Sequence, residues 1–270
     1  MGGVYMDIVY VNENEALNPR DPEHAATFAR MKPVRDTSMT LTTAGATNLA
    51  VLSESSKNAS SKRLASAVKT FGRADEALAL GTLEEAEFWL TACSFEFAYA
   101  WVYSNDEIPS PSHLLSQLKG LSKGSPRFFE AFSKGAGLEK STRAGCGSRL
   151  EGLGVLHDVI KAGLPRRGSG QSAWSDARFE IVMAKSKELA SGMELAECYS
   201  YMGQELVDYI QAITAKGGKG APTVAALMSV EKKVLSSRLL RQLGLARGKP
   251  TIEAGLEAVK NQVSVLARRV

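Results

Sequence analysis

The segment Gly147-Ser148-Arg149-Leu150-Glu151-Gly152 has the Gly-Ser-x-x-x-Gly form that can open a site for nucleotidyl transfer. That chemistry also needs two carboxylates one residue apart, shortly downstream on a strand, to hold magnesium and a triphosphate. Asp158 arrives one position late, and the position of its partner is Ile160. Magnesium would follow only from an intact carboxylate pair, so no cofactor and no metal site is expected. Arg149 and His157 form a second candidate set, because a guanidinium and an imidazole on one helical face could act on a phosphodiester. Eight residues of helix leave them about 80° apart around the axis. A solvated arginine, with a histidine satisfied by Asp158 or a backbone carbonyl, is the simpler expectation. No residue is therefore assigned as catalytic, and Asp7, Arg149, His157 and Asp158 stand only as candidates.

Glu96 lies among Phe95, Phe97, Tyr99, Trp101 and Tyr103, where an unpaired carboxylate would be costly. It should have a partner, such as a tyrosine, His113 or an arginine from another helix. Glu96, His113 and Arg149 are the candidate ligand-binding residues. Cys93, Cys146 and Cys198 stand far apart and only three histidines accompany them. That spacing argues against structural zinc and for buried free thiols in a reducing compartment, with the cytoplasm as the default.

The elements that must position these residues are mostly helical. Hydrophobic residues make up 44% of the 270 and charged residues 23%, which is the balance of a folded chain with a sizeable core. Residues 4–11 and 38–53 are rich in β-branched residues, and Ala44-Gly45 breaks the second run as a hairpin would. A short helix is expected between them from Pro22 to Met31. The serine-rich stretch Ser53 to Ser61 ends this region or caps a helix starting near Ser60. Helical patterning then dominates, beginning with TLEEAEFWLTACSFEFAYAWVYSN, which is apolar nearly all round and belongs in a bundle centre or across a subunit interface. Ser112 is the expected N-cap of the next helix. Further helices are expected at 126–134, 149–161, 172–216, 223–243 and 251–270. The fold class is thus mainly α: a multi-helix bundle with a small α/β N-terminal portion, divided at residues 1–60, 61–165 and 166–270.

Charge is distributed unevenly. From Asp75 to Glu107 there are eight acids and no Lys or Arg, whereas Lys216 to Lys249 holds eight basic residues against Glu231 alone. Lys232, Lys233, Arg238 and Arg241 are the candidate nucleic-acid contacts in this run. No aromatics interleave with them, so phosphate attraction without sequence preference is the expected mode. The N-terminus lacks a basic region before its apolar run, and no uninterrupted apolar stretch is long enough for a membrane span.

The runs LEEAEFWLTACSFEFAYAWVYSN, IPSPSHLLSQLK, FFEAFSKGAGLE and RLEGLGVLHD, within residues 81–159, resemble the helical module of the higher eukaryotes and prokaryotes nucleotide-binding (HEPN) type. In two-domain members of that group a nucleotidyltransferase palm of the polymerase β type precedes the module. The resemblance implies that MDIVYV, with Asp7, is the end of a truncated or degenerate palm. It also implies a non-catalytic binder of a nucleotide or phosphorylated small molecule, dimeric through the apolar helix around Trp89 to Val102. The rival expectations are a nucleotidyltransferase-family enzyme or ribonuclease, and a nucleic-acid-coating or assembly protein that uses its basic C-terminal region on RNA.

Overall fold

The structure is a computed structural model, and it describes residues 21–32, 36–163, 175–216 and 236–269 together with Pro19, Thr223, Val224 and Leu227. The helix with no polar face is buried on all sides by its own chain. This is α4 (Leu83–Tyr103), in which all but four of its 21 residues are buried. Against it lies α3 (Leu52–Ala79), whose inward face is made of small residues: Ser55, Ser56, Ala59, Ser60, Ala67, Thr70, Ala74 and Ala77. Small side chains let the two backbones approach, and Ser60 Oγ donates to the Ala100 carbonyl at 2.7 Å across the contact. The serine-rich stretch expected to end an N-terminal region or to cap a helix therefore lies inside α3, which runs unbroken through residues 60 and 61. Packing against α4 outweighs the turn preference of serine there.

Before α3 come α1 (Pro22–Ala29) and α2 (Thr40–Ala50). Asp21 caps α1 by accepting from the Glu23 N–H at 2.9 Å. The hairpin expected over 38–53 is corrected: α2 and the start of α3 occupy it. Asp36 accepts from both the N–H and the hydroxyl of Thr42, which closes the first turn, and Ala44 and Asn48, one helical turn apart, are the buried pair. Helical spacing of the buried residues prevails here over the β-branched content of the run. The strand expected at 4–11 lies outside the described residues.

After α4, a 3-10 turn (Pro111–His113) leads into α5 (Leu114–Leu121), so Ser112 sits within that turn rather than capping α5. Then follow α6 (Pro126–Gly135), a 3-10 turn at Leu138–Lys140, and α7 (Arg143–Gly163). The helix expected over 172–216 is two helices, α8 (Asp176–Ser191) and α9 (Leu195–Lys216), broken at Gly192 and at Met193, whose φ is +62°. Two more close the described chain: α10 (Ser237–Gln242) and α11 (Lys249–Leu266). α11 packs on α3, α4 and α6 through Ile252, Leu256, Val259 and Val263. The chain is a mainly α, multi-helix bundle with α4 at its centre. No helix among the described residues is long and apolar enough to cross a membrane.

Candidate functional site

α7 carries Arg149, His157 and Asp158, but the fold does not make one site of them. Arg149 is 2% exposed and turns toward α9, where its guanidinium lies 3.5 Å from the centre of the Tyr199 ring. Its Nε donates to the Leu243 carbonyl and its Nη1 to the Tyr199 carbonyl, both at 3.0 Å. His157 is also buried, stacked on Phe179 of α8 with ring centres 4.1 Å apart, and its Nε2 donates to Asp176 at 3.0 Å. The partner of His157 is thus Asp176, not Asp158 or a backbone carbonyl, and Arg149 is a buried tie between helices, not a solvated residue. Asp158 is exposed. Each member of the set answers to different neighbours, so the geometry for attack on a phosphodiester is not assembled. Asp7 lies outside the described residues.

The three candidate ligand residues are similarly dispersed. Glu96 does have the expected arginine: Arg63 of α3 donates to it at 3.1 Å and also bonds Glu23 of α1. With a carboxylate on either side, the Arg63 guanidinium is held firmly in its charged form even though burial acts against the charge. His113 is exposed at the head of α5, on the side of Glu197. Among the described residues, Glu96, His113 and Arg149 share no partner.

What pattern reading missed is an ion cluster joining residues distant in sequence. Glu87 of α4 is 2% exposed and accepts from both the backbone N–H and the Nε of Arg247, the latter at 2.7 Å. Arg247, from the loop after α10, also donates to the carbonyls of Lys134 and Gly135 at the C-terminal end of α6. A cation there complements the helix dipole. Lys140 reaches the same carboxylate at 3.4 Å and the Gly244 carbonyl at 3.1 Å. Burial holds the Lys140 ammonium below its ordinary range, opposed by Glu87 and reinforced by Arg247. A hint was available in the sequence, since Glu87 is an acid within the over-apolar helix.

A second polar seam joins α8 to α9. Arg178 donates to both oxygens of Glu205, at 3.2 and 3.1 Å, and lies 3.8 Å from Asp208. Gln204 donates to Asp208 at 3.0 Å. Burial, and then repulsion from Glu205, push the Asp208 carboxyl up to about 6. The cysteines are free and buried, and burial pushes the Cys93 thiol up to about 12. No group of three potential metal ligands occurs among the described residues.

The surface cations gather at the C-terminal end. In 236–269 six Lys and Arg residues are exposed, Arg238, Arg241, Lys249, Lys260, Arg268 and Arg269, against the exposed acids Glu253 and Glu257. Over the other described residues, fourteen exposed cations stand against thirteen exposed acids, so the surplus belongs to this segment. Ser236 caps α10 by accepting from the Leu239 N–H at 3.2 Å, and Leu239 and Leu240 turn inward, which leaves Arg238 and Arg241 facing out one turn apart. Lys232 and Lys233 lie outside the described residues. Comparison with protein-family models, curated proteins and solved structures finds no match to this chain. The HEPN resemblance accordingly rests on the quoted residues alone.

Proposed function

We propose that this protein binds nucleic acid through its phosphates, without catalysis and without sequence preference, using the C-terminal cations centred on Arg238 and Arg241. The observation that carries the reading is the concentration of exposed cations in 236–269 while the rest of the described surface is nearly balanced. An extended polyanion suits cations spread over a surface, because each phosphate contact releases counterions and the contributions accumulate. The ligand candidates Glu96, His113 and Arg149 do not converge on one another, so that set makes no nucleotide site. RNA is the polyanion a coating or assembly protein would take.

The test replaces Arg238 and Arg241 together with serine. Both side chains are exposed, so the fold should survive the change. Retention of a short single-stranded RNA on the double variant is expected to fall at every salt concentration, for any sequence. Undiminished retention by a folded double variant would remove these residues from the interface.

A further inference from the structure

The Glu87 cluster leaves positive charge unanswered. Arg149, Arg247 and Lys140 converge on it, and Glu87 is the buried carboxylate that faces them. Arg247 takes Glu87 by two bonds and has Glu139 at 3.9 Å, a rim residue with half its side chain exposed. Among the described residues no carboxylate lies within ion-pair distance of Arg149, although it is fully enclosed. Burial holds its guanidinium below the ordinary range, opposed by Tyr199 and Glu87 and reinforced by Arg247. Buried charges are ordinarily paired, and carbonyl oxygens and an aromatic face answer this one only in part. Beside it, the Tyr199 hydroxyl is buried with no hydrogen-bond partner among the described residues. The hydroxyl and the Arg149 guanidinium both border Gly244, whose φ of +81° and absent side chain let the loop pass: a β-carbon there would collide with both. Lys140 donates to the carbonyl of that same glycine, and its side chain is 32% exposed, which makes it the side of the cluster open to solvent.

We propose that Lys140, Arg149 and the Tyr199 hydroxyl form a subsite for one phosphate group, entered past Lys140. The group would supply the counter-charge Arg149 lacks and an acceptor for the Tyr199 O–H. Its source is either inorganic phosphate or a phosphate monoester. The subsite is separate from the exposed cations of α10 and does not depend on the nucleic-acid reading.

Tyr199→Phe removes the hydroxyl alone. If that hydroxyl is only a stranded buried group, its removal is neutral or stabilising and leaves phosphate binding as it was. The experiment is calorimetric titration of the full chain with inorganic phosphate and, in parallel, with adenosine 5′-monophosphate. Saturable binding of either supports the subsite, and the tighter of the two names the source. Tyr199→Phe is expected to weaken that binding about tenfold or more without lowering thermal stability in phosphate-free buffer. Lys140→Met, a change at the partly exposed edge, is expected to weaken it similarly, which keeps the test open should Tyr199→Phe fold poorly. Arg238→Ser with Arg241→Ser should leave it intact. Absence of saturable binding by the unaltered protein, equal binding by Tyr199→Phe and Lys140→Met, or loss of binding in the α10 double variant would each overturn the assignment.

Discussion

Glu87 and Asp208 are both carboxylates on helices, the first enclosed and the second part-exposed, and their surroundings set them opposite tasks. Glu87 sits between Arg247 and Lys140 with almost no solvent, so Glu87→Gln would leave two cations facing a neutral amide. Breaking a buried pair from one side costs about 3–5 kcal/mol. Urea denaturation should register a loss of that order, whereas Glu96→Gln, whose partner Arg63 is more open to water and keeps Glu23, should cost about 1 kcal/mol. Equal losses at the two positions would contradict the ranking. The Asp208 carboxyl is instead raised by burial and then by Glu205 on its own helix, with Arg178, the Gln204 amide and Arg63 opposing the rise. Its folded-state pKa of about 6 lies above the ordinary 3.8, so the folded form binds the proton more tightly than the unfolded form. The stability tied to that proton is complete below the unfolded value and is lost as pH rises through about 6. Asp208→Asn should therefore flatten the decline in stability between pH 5 and 7.5, as read from denaturation midpoints; a decline unchanged by the substitution would rule out Asp208 as its source. Glu87 and Asp208 were not singled out in the sequence, because their partners lie 160 residues away in one case and on the preceding helix in the other.

At the scale of elements, α6 and α11 pack against α4 and one another through glycines. A β-carbon on Gly135 would overlap Ser94 and stand 2.9 Å from Val259, and one on Gly255 would stand 2.9 Å from Leu90. Gly135→Ala should accordingly destabilise the bundle by about 1–3 kcal/mol despite the better helix propensity of alanine, the cost of overpacking a filled core. A variant as stable as the parent would show that the three helices have slack. The central place of α4 was legible in the sequence, since a helix without a polar face has to be enclosed. Its residues from Trp89 to Val102 are, apart from the half-buried Glu96, buried against α3, α5, α6, α9 and α11 of the same chain. Less legible were α2 and the first turns of α3. Their threonines and serines favour strands and turns locally, and only contact with α1 and α4 shows why Ala44, Asn48 and Ser60 point inward on a helical period.

For the whole molecule, the basic run from Lys216 to Lys249 could be read from the sequence, but which of its cations reach solvent could not. Arg247 belongs to that run by position and to the core by structure, bound to Glu87 and the end of α6. Arg238 and Arg241 stay outside because Leu239 and Leu240 take the inward face of a short helix. A binding surface made this way acts through charge, so its affinity should depend on salt and not on sequence. The most direct measurement is fluorescence anisotropy of two labelled single-stranded RNAs of unrelated sequence, titrated with the protein over a range of potassium chloride concentrations. For single strands each phosphate contact contributes a slope of about −0.7 in log affinity against log salt. The expected result is one steep slope shared by both RNAs, made shallower by about 1.4 in the Arg238→Ser, Arg241→Ser double variant. Binding that ignores salt, that prefers one sequence strongly, or that keeps its slope in the double variant would contradict the account.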